Sequence, residues 1–134
     1  MKDTLDSGMP RRMTRYSSGY DFFLPHDLDV VAGEQVIVDT GICLEDGDLE
    51  YDEVMLLFPR SSLGMKYGFR FLNSVGVIDS DYRDTIKAGI TVSRNMHLNK
   101  GDRFMQGIVF SFCRIPNEIE PQQERTGGLG STGR

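Results

Sequence analysis

The chain has 134 residues, a mass of 15.1 kDa and a formal net charge of -5, enough for one domain with its own core. That charge argues against a surface that grips nucleic acid through many phosphates, and no run approaches the length of a membrane span. Glycine is frequent, with 15 residues, alanine occurs only at Ala32 and Ala88, and turn signals recur through the chain, which predicts an all-β fold.

Residues 1–15 are polar, with Arg11, Arg12 and Arg15, and read as extended or partly disordered. Tyr16 to Leu24 predicts a first strand, ended by Pro25. Asp27 to Ala32 is a short segment before the turn Gly33-Glu34. Gln35 to Leu44 predicts one strand, with Gly41 inside it as a bulge or close backbone approach. Glu45 to Glu53 carries six acidic side chains and reads as a solvated hairpin loop, not a calcium loop. Val54 to Phe58 is an apolar strand stopped by Pro59. The segment from Arg60 to Gly68 has serine at its front and glycine at its end, the signals of a short helix. Phe69 to Val77 and Thr85 to Ser93 predict strands, and so does Arg103 to Phe112 after the turn Asn99-Lys100-Gly101-Asp102. Pro116 to Glu124 is polar with two prolines, and residues 125–134 hold four glycines and a single apolar side chain, Leu129. The chain therefore divides into a folded domain, 1–124, and a glycine-rich tail, 125–134, that cannot bury enough to fold alone.

Compartment and metal chemistry are bounded by a few residues. Met1-Lys2-Asp3-Thr4-Leu5-Asp6 has no apolar stretch behind its charges and is not read as a secretory signal. Cys43 and Cys113 form no C-x-x-C and read as reduced thiols, so a cytoplasmic location is expected. His26 and His97 lie far from each other and from either cysteine, which speaks against a Cys/His zinc site.

Four segments carry chemistry. The tail from Arg125 to Arg134 combines backbone N–H groups freed by glycine, hydroxyls and two arginines, the parts of a phosphate cradle. It lacks the lysine and following helix of a Walker A loop, so a flexible tail without a role is an equal reading. Arg60-Ser61-Ser62 opens the predicted helix and suits an anion, although a serine N-cap is the plainer reading. Gly76 through Arg83 places Asp79 and Asp81 at the end of an apolar strand, where one could act as a general base on water or both could belong to a turn. Gln106 is a lone amide in an apolar strand behind the turn Gly101-Asp102-Arg103.

In chain order these four segments, with Ser18-Gly19-Tyr20-Asp21 ahead of them, resemble the five motifs of the dUTPase family, the trimeric all-β dUTP nucleotidohydrolases. The motifs are Ser18-Gly19-Tyr20-Asp21, Pro59 through Gly68, Asn73 through Arg83, Gly101 through Gln106, and Arg125 through Gly133. The resemblance runs from about residue 9 to the C-terminus. It implies a distorted jelly-roll-like barrel with one short helix, in a homotrimer with a swapped C-terminal tail. It implies hydrolysis of dUTP to dUMP and pyrophosphate. Asp79 would hold the 3′-hydroxyl and activate water, with Ser61 and Gln106 at oxygens near the α-phosphorus. Asn73 would contact uracil, with main chain of Gly76 and Val77, and Tyr82 would pack under the deoxyribose. Arg60, Ser62, Arg125, Gly130, Ser131 and Thr132 would hold the phosphates. Mg²⁺ would sit on the triphosphate rather than in a protein cage, with Asp21 helping to position Arg60 and the metal's water shell.

The chain departs from the family pattern at particular places. Ser18 stands where alanine is usual and Ser62 where glycine is usual. Arg83 is followed by Asp84-Thr85 rather than Gly-Glu, Arg125 is one residue closer to the glycine pair, and Leu129 replaces the phenylalanine that stacks on uracil. Two rival readings remain. A dCTP deaminase shares the fold and an Arg-Ser-Ser-Leu segment, but would want a glutamate base that positions 84–94 lack. A phage-type regulatory dUTPase, acting as a nucleotide-gated partner of another protein, would use the acidic loop 45–53 or the N-terminus. Neither nucleic acid nor membrane is an expected partner.

Overall fold

The fold was obtained as a computed structural model, which describes residues 1–125. In chain order its strands are β1 (Lys2–Asp3), β2 (Tyr20–Phe23), β3 (Leu28–Val30), β4 (Gln35–Asp39), β5 (Ile42–Cys43) and β6 (Glu53–Pro59). After helix α1 (Ser61–Tyr67) come β7 (Arg70–Phe71), β8 (Gly76–Asp79), β9 (Lys87–Thr91), β10 (Met96–Leu98) and β11 (Arg103–Ser111). One sheet has the order β2-β11-β6-β8 and a second the order β4-β9-β7, with β1 on β5 and β10 on β3 as separate pairs. Every pairing is antiparallel. The result is jelly-roll-like but not a closed barrel. Its four-stranded ladder ends at β2, which runs toward Pro25, a residue without an N–H, and at β8, which runs into a turn.

The core lies between the sheets. Phe22, Leu24, Val38, Leu57, Ile86, Ile90 and Phe104 are all buried. Alternation selects them: Met55 and Leu57 of β6 face inward, as do Ala88 and Ile90 of β9. Helix α1 is short and buries only Leu63. It ends as expected at Gly68, whose left-handed backbone lets its N–H reach the Gly64 carbonyl.

Three expectations are revised. The strand expected over 35–44 is two strands, because Gly41 takes φ 71° and turns the chain. A Cβ at Gly41 would stand 2.5 Å from Leu5 Cγ, so the turn also makes room for the N-terminal segment. That segment is ordered, not loose. Lys2–Asp3 pairs with β5, and the Asp3 carboxylate accepts N–H bonds from Leu5, Ser7 and Gly8. The strand expected over 69–77 is broken between β7 and β8, where Ser74 takes φ 67°. A two-residue strand and a left-handed serine leave no periodic signal in a sequence, which is why both were invisible.

The acidic loop is partly tied down. Asp48 accepts the Glu45 N–H at 2.8 Å, and Asp46 pairs with Arg83 at 2.8 Å. No helix among the described residues is long and apolar enough to cross a membrane.

On the β3–β10 pair, His97 lies opposite Asp29. Its Nδ1 is 2.7 Å from Asp29 Oδ1 and its Nε2 is 2.9 Å from Asn99 Oδ1. Asp29 first, then Asn99, raises the His97 pKa above its ordinary 6.5. A raised value means that the pair's stabilisation is complete below that ordinary pKa and is lost as pH rises through the folded-state value. Asp29→Asn should therefore lower the His97 titration midpoint, read by NMR on the imidazole protons.

Candidate active site

The predicted residues fall into two clusters at different places on one sheet. The first is built on the edge strand β8 and the turn after it. Asp79 closes β8, and the Tyr82 N–H returns to the Asp79 carbonyl at 3.1 Å. Tyr82 is buried, while Asp79 and Asp81 stay exposed. Arg125 donates from Nη2 to Asp79 Oδ2 at 2.6 Å and from Nε to Asp81 Oδ1 at 2.8 Å. Its guanidinium also lies 5.7 Å from the centre of the Tyr82 ring. Asp81, then Asp79, holds the Arg125 guanidinium above its usual pKa. Burial, then Asp84 and Asp39, pushes the Tyr82 hydroxyl up, so it is a donor at neutral pH. Gly76 and Val77 lie on β8, and Asn73 is exposed in the turn before it.

The second cluster is built on β2, the central strand β11, and the start of α1. Gln106 of β11 sits between Asp21 of β2 and Phe58 of β6. Gly19 is what lets it sit there. A Cβ at Gly19 would lie 2.1 Å from Gln106 Oε1 and 3.1 Å from its Cβ. Arg60 is the N-cap residue of α1 and makes no side-chain cap. Ser61 and Ser62 are exposed, so the N-cap role that was the plainer reading for them is not the one they take. Asp21 was expected to position Arg60. It pairs instead with Arg103, Nη1 to Oδ2 at 3.1 Å, and Arg60 Nη1 donates to the Arg103 carbonyl at 3.3 Å. The link from Asp21 to Arg60 thus passes through Arg103, because β11 lies between their strands.

Register keeps the clusters apart. Asp79 is opposite Val54 on β6, whereas Gln106 is opposite Phe58. Four residues of strand separate those positions, roughly 13 Å along β6, with the width of the sheet added. One chain therefore does not bring Asp79 to Gln106 or Ser61. Sequence reasoning raised Asp81 only as an alternative base to Asp79 and gave Arg103 no role; that each is an ion-pair partner is a tertiary fact. Leu129, Gly130, Ser131 and Thr132 lie outside the described residues. Arg125, expected in another subunit's site, closes here on its own chain's carboxylates.

Arginine, two hydroxyls and an amide suit phosphate oxygens, while a carboxylate beside a buried tyrosine suits a sugar and a water. That is the chemistry of an all-β nucleotide hydrolase. A family model described as dUTPase matches residues 6–133. The deoxyuridine 5′-triphosphate nucleotidohydrolase of Lactococcus lactis is 32% identical over 93% of this chain and 87% of its own. That of Paramecium bursaria Chlorella virus 1 is 37% identical over 92% and 89%. The crystal structure of dUTPase from Streptococcus mutans superposes with a TM-score of 0.72 at 32% identity, over 84% of this chain and 91% of that one. The chain belongs to the dUTPase family. A staphylococcal phage 80alpha dUTPase shares the fold at 16% identity, with a TM-score of 0.74.

Gly19→Ala should lower kcat for the nucleotide by about tenfold or more, by pushing the Gln106 amide out of place. Steady-state kinetics beside Gln106→Ala, with melting curves for both, check this. The melting temperature should move little.

Proposed function

We infer that the chain hydrolyses dUTP to dUMP and pyrophosphate, in a homotrimer whose sites are shared between subunits. Family membership supports the reaction, and the separation of Asp79 from Gln106 along β6 supports the sharing. A site completed by a neighbouring subunit removes that separation, because the Asp79 cluster of one chain meets the Gln106 cluster of another.

In this reading Asn73 and the main chain of Gly76 and Val77 hold uracil, and Tyr82 floors the deoxyribose. Backbone donors would be left unpaired by cytosine, which is a strong form of discrimination. Asp79 takes a proton from water as its oxygen bonds to the α-phosphorus. The bond from that phosphorus to the bridging oxygen breaks, pyrophosphate leaves, and Asp79 returns its proton to solvent. Ser61 and Gln106 hold oxygens at the α-phosphorus, and Arg60, Ser62 and Arg125 hold the chain of phosphates.

Among the described residues no group of three or more His, Cys, Asp or Glu could cage a metal. The donor set would suit Mg²⁺ carried by the triphosphate, and the Asp21 carboxylate, paired here with Arg103, would be the acidic group to bond its waters. When bound, it neutralises charge on the leaving pyrophosphate. The dUTPase of phage phi11 is described with a structural Mg(II) ion, and it shares the fold at 16% identity.

Incubation with dUTP, dCTP, dTTP and UTP, each with Mg²⁺, should yield dUMP and pyrophosphate from dUTP and leave the other three nearly untouched. Ammonia from dCTP would make the protein a deaminase instead. Asp79→Asn should remove turnover while dUTP binding survives, so the loss falls on kcat.

Sharing has its own test. Asp79→Asn and Gln106→Ala should each be nearly inactive as pure trimers. Unfolded together in equal amounts and refolded, they should regain activity, since about a quarter of all sites then draw both Asp79 and Gln106 from chains in which that residue is intact. A chain ending at Glu124, mixed in the same way with Asp79→Asn, should also regain activity if tails are exchanged. Mixed trimers that stay silent in the first pairing would show that each chain builds its own site.

A further inference from the structure

Behind Tyr82 runs a chain of polar contacts that the proposed reaction does not use. The Tyr82 hydroxyl donates to the Thr85 carbonyl at 2.9 Å. The Thr85 hydroxyl donates to Asp39 Oδ2 at 3.1 Å, and Asp39 Oδ1 accepts the Gly41 N–H at 2.9 Å. Lys87 Nζ donates to the Thr85 hydroxyl at 2.7 Å and to the Thr85 carbonyl at 3.3 Å. Donors and acceptors match throughout. The Thr85 hydroxyl gives one bond and takes one, and its carbonyl uses both lone pairs.

The anchor of this chain is firm. The Thr40 N–H and hydroxyl both reach the Ile86 carbonyl, at 3.0 and 2.6 Å, and the Ile86 N–H reaches the Ile42 carbonyl at 2.8 Å. Thr40 and Ile86 are fully buried. Thr85 is thus held between the turn that carries Tyr82 and the β4–β5 corner.

We propose that Thr85 and Asp39 are positioning residues for Tyr82, and that through its hydroxyl they set the preference for deoxyribose over ribose. The inference rests on the reading that Tyr82 lies under the sugar. A 2′-hydroxyl is excluded by contact with a ring, so exclusion depends on the ring's height and tilt. A phenol bonded at its far end to a fixed carbonyl cannot move away to admit the extra oxygen. Freed from that bond, the ring can yield.

The test is the ratio of kcat/KM for UTP to that for dUTP, measured on the full chain with Mg²⁺. Tyr82→Phe removes the bond outright and should raise the ratio about fivefold to tenfold, mostly through a better KM for UTP. Thr85→Val and Asp39→Asn keep the main-chain carbonyl, loosen only its position, and should each raise the ratio about twofold to threefold. Thr85→Ser keeps the hydroxyl and should keep the parent ratio. Tyr82→Ala removes the ring and is the control for the underlying reading. If it leaves the ratio unchanged, Tyr82 is not under the sugar and the proposal falls with that reading. If Tyr82→Ala raises the ratio but Thr85→Val and Asp39→Asn do not, the sugar reading stands and the positioning role is overturned. Equal slowing of both nucleotides, matched by a lower melting temperature, would likewise reduce Thr85 and Asp39 to stabilising the fold. Should Thr85→Val fail to fold, Asp39→Asn and Tyr82→Phe decide alone.

Discussion

Most of what is proposed for this molecule depends on the register of one strand. β6 is paired on both sides, with β8 along one edge and β11 along the other. Antiparallel pairing lets each neighbour present a different residue at each end of β6. Asp79 comes to the Val54 end and Gln106 to the Phe58 end. A slip by one residue would turn Met55 and Leu57 out of the core, so burial holds this arrangement rigidly. The same packing that makes the subunit stable thus holds the two clusters apart within one chain.

Electrostatics divides along the same line. The Asp79 cluster is acidic, with Asp81 and Asp84 near Asp79 in sequence, and Arg125 answers it. The Gln106 cluster is basic, with Arg60 and Arg103. Arg125 bonds to carboxylates that are more than half exposed, at 55% for Asp79 and 60% for Asp81. Arg125 itself keeps only 15% of its side chain exposed, so these are half-shielded pairs rather than free surface ones.

Close approach matters as much as charge. Gln106 reaches its place because Gly19 has no side chain, and the N-terminal segment reaches β5 because Gly41 turns left-handed beside Leu5. Both glycines stand two residues from carboxylates discussed above: Gly19 from Asp21, Gly41 from Asp39. Backbone clearance and side-chain placement are one problem here, solved by residues that carry no functional group.

Much was legible from residues alone. Short β-branched and aromatic runs, scarce alanine and frequent turns implied an all-β fold, because those side chains suit a pleated half-buried surface. The helix over Ser61–Tyr67 was bounded by its own start and stop signals. The identity of the chemistry lay in ordered local motifs, since Asp79, Tyr82 and Gln106 each sit in a short segment whose composition is set by what it must touch. What no local segment encodes is which motifs meet. The pairing of Asp79 and Asp81 with Arg125, of Asp21 with Arg103, and of Thr85 with Asp39 joins residues 40 or more positions apart. Such contacts follow from strand order and register, which burial decides for the whole chain at once. So the kind of chemistry could be read from the sequence, and only the tertiary structure decided that one chain holds the Asp79 and Gln106 clusters apart.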